Sequence, residues 1–177
     1  MKNIKNKNGF TLIELILYVA IVAIFMLALI PFIWGIIQGS ARNAAKQEVF
    51  SNARFVSEKI KSEIRNSNGF NTSNFDVNLA NNPGMKLSLI QDAPNNPTDI
   101  DVSAGKVRVK RGASAVANLN SDNTKVTNLT FTNYSSVDNK TKNIAFEIII
   151  EGNYTSARTE YTEIFTLKSD VEIRSNN

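Results

Sequence analysis

Residues 15–37 constrain what this chain can fold into more than any other feature, because they form a long apolar run without a charged side chain. A helix that spans the hydrocarbon core of a bilayer needs about 20 such residues, and this run is long enough. A secretory signal has an apolar region of only about 7–15 residues, followed by a cleavage site. The sequence therefore predicts a membrane-spanning helix. Pro31 and Gly35 are expected to weaken or kink it, since proline removes one backbone hydrogen bond.

The basic residues ahead of the apolar run set the predicted orientation of the chain. Lys2, Lys5 and Lys7 lie within the first nine residues and supply most of the formal net charge of +4. Positively charged flanks stay on the cytoplasmic side of a membrane. We therefore expect the residues after the span to emerge on the opposite side, and we attribute the overall basicity to membrane topology.

Beyond residue 40 the chain changes from uniformly apolar to amphipathic. Apolar residues recur there at spacings of three and four, which is one face of a helix: Ala45, Val49, Ala53, Val56, Ile60 and Ile64. The helix is therefore predicted to run from residue 10, through the membrane and out of it, to residue 65. Residues 66–69, Asn-Ser-Asn-Gly, are stop signals, and Arg65 is favourable in the last turn.

The remainder of the chain carries strand-like patterns between turn-forming residues. Residues 70–100 are rich in Asn and contain several prolines, so they are predicted as loops around one short strand at 86–90. Further strands are predicted at 106–110, 126–134, 143–151 and 161–174. Within 143–151, Phe146, Ile148 and Ile150 share one face, so one side of the sheet should be buried.

Together these elements predict an α+β fold in which the apolar stripe of the helix covers one antiparallel sheet. The expected organisation is a leader peptide at residues 1–9, a transmembrane helix at 10–40, an amphipathic extension of that helix at 41–69, and a globular β-rich head at 70–177. A chain of 177 residues suffices for one modest domain beside the long helix.

Composition narrows the chemistry that the head could perform. The chain has neither cysteine nor histidine, which excludes disulfides, Cys/His metal sites and catalysis through either residue. Its acidic residues show no spacing typical of a glycosidase or a protease. We therefore expect no enzymatic activity and no cofactor.

A basic cluster in the head allows two interpretations. Lys106, Arg108 and Lys110 share one predicted strand face next to Arg111, and such a face could contact DNA or another polyanion. Because no aromatic residues are interleaved with these cations, we favour a solvated strand face. Nucleic acid is not an expected partner.

An acidic cluster also allows two interpretations. Asp92, Asp99 and Asp101 lie in or next to the proline-containing stretch, and acidic loops of this kind can bind calcium. Calcium takes about six to eight oxygen ligands, and no complete loop signature is present. We therefore favour polar turns over a metal site.

The segment Gly9-Phe10-Thr11-Leu12-Ile13-Glu14 follows the lysine-bearing leader and opens the apolar run. It closely resembles the N-terminal signal of the type IV pilin superfamily, which includes pilins and the pseudopilins of type II secretion and competence systems. The resemblance implies that a prepilin peptidase cuts between Gly9 and Phe10 and N-methylates Phe10. Asn8 stands where the family usually has Lys or Arg, for which we expect slower processing at most.

Glu14 is a charged residue directly before the apolar run, which calls for a physical explanation. A charged side chain at membrane depth costs about 2.5–3.5 kcal/mol, so it calls for a partner. In the superfamily the matching carboxylate pairs with the amino group of the first residue of a neighbouring subunit, here Phe10, which implies a role for Glu14 in setting the register of assembly. The alternative is that Glu14 only lies in an interface and is stabilised by the helix N-terminus.

A looser resemblance extends into the helix and the head. Residues 47–55, 59–65, 126–132 and 167–174 look like segments of J-type minor pseudopilins. The resemblance implies a minor pilin or pseudopilin that nucleates or caps a type IV pilus-like or type II secretion pseudopilus filament. The alternative is a binding subunit of a competence or adhesive pilus that recognises DNA or a surface.

The same resemblance implies a location and a set of partners. The chain would lie in the bacterial cytoplasmic membrane as a single-pass protein with its head on the extracytoplasmic side, and would then enter a pilus or pseudopilus. Its partners would be the prepilin peptidase, other pilins or pseudopilins, an inner-membrane assembly platform and, before assembly, the lipid bilayer.

Overall fold

The computed structural model describes residues 9–71, 75–138, 140–154 and 163–174. The chain divides into two compact units, Met1–Ala41 and Arg42–Asn177. One helix, α1 (Leu12–Arg65), contributes its first part to the first unit and its second part to the second. The predicted leader lysines, Asn8 and the beginning of the last predicted strand lie outside the described residues.

The first unit consists of a helix that is apolar on all sides. Its large apolar side chains, from Phe10 to Ile37, are 42–77% exposed, and the helix is assigned without interruption through Pro31 and Gly35. A helix that is hydrophobic all round requires an apolar surrounding. By length and composition α1 can cross a membrane, as the sequence predicts.

The second part of α1 lies against the core of the second unit. All six residues of the predicted apolar stripe are at most 3% exposed, which confirms the periodicity argument. The helix ends at Arg65, as predicted. Ser67 stabilises that end, because its backbone N–H and its hydroxyl both donate to the carbonyl oxygen of Ile64, at 3.1 and 2.7 Å.

The first sheet has five antiparallel strands in chain order: β1 (Gly69–Phe70), β2 (Lys86–Ile90), β3 (Thr98–Ser103), β4 (Lys106–Arg111) and β5 (Ala117–Asn118). The β3–β4 hairpin closes with two residues, Ala104 and Gly105, whose φ angles are 50° and 72°. Positive φ at both central positions is what a two-residue type I′ turn requires.

The second sheet has three antiparallel strands, β6 (Thr124–Asn133), β7 (Asn143–Gly152) and β8 (Ile164–Glu172), in that order. On β7 the residues Phe146, Ile148 and Ile150 are buried, as their alternation predicts. They join the stripe of α1 and residues of the first sheet in one hydrophobic core. The outcome is the predicted α+β architecture, with a helix packed on antiparallel sheets.

The structure corrects two details of the sequence prediction. The helix packs on two sheets rather than one, since β5 pairs only with β4, and β6 begins a separate ladder with β7. Strand β3 falls in a stretch predicted as loop because of its prolines and aspartates. Pro97 in fact precedes the strand, and the aspartates alternate with the buried residues Ile100 and Val102.

Candidate processing and membrane segment

The start of α1 is built by a local capping interaction. Thr11 precedes the first helical residue, Leu12, and its hydroxyl oxygen accepts a hydrogen bond from the backbone N–H of Glu14 at 3.4 Å. The backbone N–H of Leu15 bonds to the carbonyl of Thr11 at 3.2 Å. Thr-x-x-Glu is the pattern of a capping box, which explains why the helix begins here.

Glu14 lies in the first turn of the helix with an exposed side chain, among exposed apolar neighbours. Its carboxylate makes no hydrogen bond or ion pair with another residue in the described part of the chain. The partial positive charge at a helix N-terminus favours an acidic side chain in this position. The Glu14 carboxylate is thus free to interact with another molecule.

Gly9 and Phe10 lie directly before the cap, and both are exposed. A Cβ atom added to Gly9 would meet no atom within 4 Å. Phe10 is 72% exposed, and its ring centroid lies 5.9 Å from that of Tyr18 in the second turn of α1. The bond between Gly9 and Phe10 is therefore accessible in this structure.

Most cations in the basic cluster of the head are paired with carboxylates. Arg108 donates to both carboxylate oxygens of Asp101, at 2.8 and 2.7 Å, and these hydrogen bonds raise the pKa of the Arg108 guanidinium. Lys106 lies 3.1 Å from the Asp122 carboxylate. Lys110 is exposed and lies opposite Asp99 in the strand register. Carboxylates thus pair with most of these cations, while Arg108 stays partly exposed and Lys110 exposed, as expected of a solvated strand face.

The acidic cluster is likewise explained by pairing. Asp99 accepts from Lys86 at 2.6 Å and from Ser88 at 2.7 Å, so it lies on strand β3 and not in a turn. Asp92 is in the turn region, as predicted, and accepts from Asn68 at 2.9 Å. Among the described residues, no group of three or more acidic side chains is arranged to hold a metal ion.

Glu63 is a residue whose importance the sequence reading missed. It is 8% exposed at the end of the buried stripe, and its carboxylate accepts hydrogen bonds from Arg111, one of them at 3.3 Å. Gln91 also donates to its backbone carbonyl at 3.3 Å. The hydrogen bonds with Glu63 raise the pKa of the Arg111 guanidinium. The pairing of Glu63 could have been predicted, because an acidic residue beside Ile60 and Ile64 falls on the buried face of the helix and needs a partner.

Glu48 is a second polar residue that joins the helix to the head. Its carboxylate accepts hydrogen bonds from the hydroxyl of Tyr154 and the amide of Asn123, both at 2.9 Å, and from the hydroxyl of Ser121 at 3.2 Å. These partners are 73 to 106 residues away in the chain. No local pattern marks such a contact, which explains why the sequence could not reveal it.

Comparison with known proteins identifies the N-terminal segment. A family model described as the prokaryotic N-terminal methylation motif matches residues 4–30. No curated protein and no solved structure matches the chain. The matched range contains Gly9, Phe10 and Glu14 together with most of the exposed apolar helix.

The matched motif has direct implications for the chain. It is the signal of type IV pilins and pseudopilins, so it implies processing by a prepilin peptidase and assembly with other pilins. The apolar first part of α1 is long and apolar enough to serve as the membrane anchor that this motif implies. The packed helix and antiparallel sheets of the second unit agree with a pilin-like head. Residues 4–30 therefore carry the N-terminal methylation signal of type IV pilins and pseudopilins, and the second unit has an architecture consistent with a pilin-like fold.

Proposed function

We propose that this chain is a minor pilin or pseudopilin, a membrane-anchored structural subunit that nucleates or caps a filament of the type IV pilus or type II secretion kind. In this proposal the prepilin peptidase cuts between Gly9 and Phe10 and methylates Phe10. The remaining parts are a filament-core helix at residues 10–40, its amphipathic extension at 41–69 and a head at 70–177.

One observation carries the proposal: an acidic residue without an intramolecular partner in the described residues stands in the first turn of an exposed apolar helix that begins just after Gly9. Burying such a carboxylate in a bilayer or a helix bundle is costly unless a cation meets it. Cleavage after Gly9 creates such a cation, the new amino group of Phe10. A neighbouring subunit can then supply the partner that Glu14 lacks.

The leader supports the proposed topology. Its three lysines keep residues 1–9 in the cytoplasm, where the peptidase and the inner-membrane assembly platform would act. The second unit then lies on the extracytoplasmic side. The looser likeness of residues 47–55 and 126–132 to J-type minor pseudopilins supports a place near the filament tip.

The runner-up, a binding subunit of a competence or adhesive pilus that recognises DNA or a surface, gains no support from the basic cluster. The cations that could have met a polyanion are largely paired, with Asp101 holding Arg108, Glu63 holding Arg111 and Asp122 holding Lys106. An interface with a phosphate backbone would have to replace these contacts. The structural role in a filament is therefore the better proposal.

Two substitutions at one position test the proposed role in assembly. Glu14→Gln keeps the shape of the side chain and removes its charge, while Glu14→Ala removes both. Neither cleavage nor membrane insertion needs this carboxylate, so both variants should be processed and inserted as the parent is. Both should be recovered with partner pilins in smaller amounts, and cells that carry them should have fewer filaments.

The readout is quantitative pull-down of the processed chain together with a count of filaments per cell. Glu58→Gln is the matched control, because it removes one carboxylate from the exposed face of the same helix outside the apolar part. Unchanged recovery and filament number for both Glu14 variants would show that Glu14 is only tolerated in the interface, and the proposal would lose its support.

A further inference from the structure

A groove crosses the outer face of the second sheet, the face that points away from the hydrophobic core. Its volume is about 420 Å³, within the range of about 300–1,000 Å³ that is typical of ligand sites. The side chains that line it alternate along their strands with buried core residues. They include Thr132, Tyr134, Ala145, Glu147, Lys168 and Asp170. We call this feature the outer groove.

Ala145 explains why there is open space on this face. It has the shortest side chain of the lining residues, and in the strand register it lies between Thr132 on β6 and Asp170 on β8. Directly opposite residues on neighbouring strands are close enough to touch when their side chains are long. A methyl group in the middle position cannot fill the gap, so a cavity remains between the longer neighbours.

Carboxylates are in excess around the outer groove. Lys168 lies opposite Glu147 and is paired with it at 2.9 Å. Asp170 has a methyl group rather than a cation opposite it, and in the described part of the chain its carboxylate makes no hydrogen bond or ion pair. Asp76 adds another carboxylate, which accepts a hydrogen bond from the hydroxyl of Thr132 at 2.8 Å. Two carboxylates at the groove are therefore left without a cation.

The remaining residues of the head do not change this sum. Outside the described residues, the head comprises 72–74, 139, 155–162 and 175–177. Only the segment 155–162 carries charged side chains, one basic and one acidic, which are Arg158 and Glu160. Their charges cancel. The excess of carboxylates at the outer groove thus favours a cationic partner.

Tyr134 adds an aromatic ring to the outer groove. It is 65% exposed, whereas Phe131 on the preceding strand is fully buried. Core packing therefore does not account for the position of the Tyr134 ring. A cation is attracted to the face of such a ring, and tyrosine and arginine are the residues that most often dominate protein interfaces.

We propose that the outer groove receives a basic side chain of a neighbouring pilin or pseudopilin subunit. An arginine fits best, because its planar guanidinium can donate two parallel hydrogen bonds to the carboxylate of Asp170 and lie flat on the ring of Tyr134. The inference rests on the proposed function as a filament subunit. It adds which face of the head the partner contacts and which chemistry the partner must present.

A different subunit is favoured over a second copy of this chain as the occupant. The chain has exposed cations of its own on α1, at Arg54, Lys59 and Arg65, so charge alone allows either. A subunit that nucleates or caps a filament is used in few copies, however, and most of its neighbours are other pilins. A second copy is therefore an outcome that the experiment must distinguish.

The charge and the shape of the outer groove are tested on the full chain, by pull-down of partner pilins from detergent-solubilised membranes over a series of concentrations. A recovered protein counts as a partner pilin only if its mature N-terminal residue is methylated. Asp170→Asn removes the free carboxylate and should weaken the apparent affinity about five- to tenfold. Ala145→Leu fills the groove without a change of charge and should weaken it as much.

The aromatic contribution is separated from the charge at Tyr134. Tyr134→Ala should weaken the apparent affinity about two- to fivefold, whereas Tyr134→Phe, which keeps the ring, should not. Asp138→Asn is the matched control for charge, because Asp138 is an exposed carboxylate between β6 and β7 that does not line the groove. Asp170→Asn keeps the shape of the side chain, so it remains informative if Ala145→Leu fails to fold.

Photocrosslinking identifies the occupant. p-Benzoylphenylalanine incorporated in place of Tyr134 keeps an aromatic ring at the groove, and mass spectrometry identifies the peptide that it captures. We expect a segment of a methylated partner pilin that contains an arginine or a lysine. Exchanging the charges, with Asp170→Arg in this chain and that basic residue changed to aspartate in the partner, should restore the recovery that each change alone reduces.

A captured segment without a basic residue would overturn the inference, as would parent-like recovery with both Asp170→Asn and Ala145→Leu. Capture of a peptide of this chain would assign the groove to a second copy and would overturn the choice of partner. If the parent chain recovers no methylated pilin, the proposed function fails together with this inference. If the parent and the groove variants recover equal amounts, the proposed function stands and the inference alone fails.

Discussion

Ile60 offers a sharp test of how the head is built. It is fully buried in the middle of the apolar stripe of α1, within the core that the helix forms with both sheets. Removing three carbons from such a site costs the lost burial and leaves a cavity, so Ile60→Ala should destabilise by about 2–5 kcal/mol. For a domain of this size the melting temperature should fall by about 6–20 °C.

The assay is thermal and urea denaturation of a fragment of residues 41–177, which we expect to fold as a monomer because the stripe covers the sheets without the membrane part. Lys59→Ala is the matched control, since Lys59 is the exposed neighbour of Ile60 and its loss should change stability by about 0.5 kcal/mol or less. Ile60→Asp should prevent folding, because a carboxylate would then be buried without a partner.

Parent-like melting of either Ile60→Ala or Ile60→Asp would contradict the buried position of Ile60 and would mean that the stripe does not face the core in solution. Equal destabilisation by Lys59→Ala would show that the effect is not specific to the stripe. A fragment that unfolds without the membrane part would contradict the second unit as a folding unit.

Three further predictions concern Arg111 and Gly112, at and directly after the end of β4. Arg111→Met should cost about 1–3 kcal/mol in chemical denaturation by leaving the buried Glu63 carboxylate without its cationic partner, and adding Glu63→Met should recover part of that loss. The pKa of the Arg111 guanidinium is raised above a value that is already high. The contribution of Arg111 to folding stability is therefore fully present below its ordinary pKa and is lost only in strong alkali. The cost of Arg111→Met, measured in denaturant, should accordingly stay constant between about pH 6 and 9. Gly112→Ala should destabilise by about 1–3 kcal/mol in the same assay, since φ is +49° and a Cβ would lie 2.1 Å from the carbonyl oxygen of Pro94, and a variant as stable as the parent would contradict that geometry.

Buried faces could be predicted best where apolar residues recur at one regular spacing along a helix or a strand. The stripe from Ala45 to Ile64 and the alternation in β7 follow spacings that only one regular structure satisfies, so their buried faces could be predicted. The start of α1 was also close to the prediction, because a Thr-x-x-Glu cap leads into the apolar run.

The features that escaped prediction depend on contacts between distant parts of the chain. Strand β3 has the alternation of a half-buried strand, but Pro97 before it and its aspartates gave the stronger turn signal. The partners of those aspartates lie on the neighbouring strands β2 and β4, as the pairs Asp99–Lys86 and Asp101–Arg108 show. Charge patterns read along one strand cannot reveal which strand lies beside it.

For the N-terminal segment, by contrast, the sequence alone revealed the candidate residues, and the structure adds their surroundings. The residues around Gly9 and Glu14 were readable from sequence because their pattern is local and matches a known signal. The structure adds that a side chain at Gly9 would meet open space and that Glu14 has no partner among the described residues. Both facts make substitutions at these positions informative about function, since neither is needed for packing.

The most direct test of the account is the mass of the N-terminal peptide of the chain recovered from membranes of cells that express a prepilin peptidase. We expect a mature chain that begins at Phe10 with one added methyl group. Gly9→Val should retain the leader, while Gly39→Val, which also places a side chain in open space, should be cut as the parent is. A mature chain that begins elsewhere, lacks the methyl group, or is still cut in the Gly9→Val variant would contradict the account.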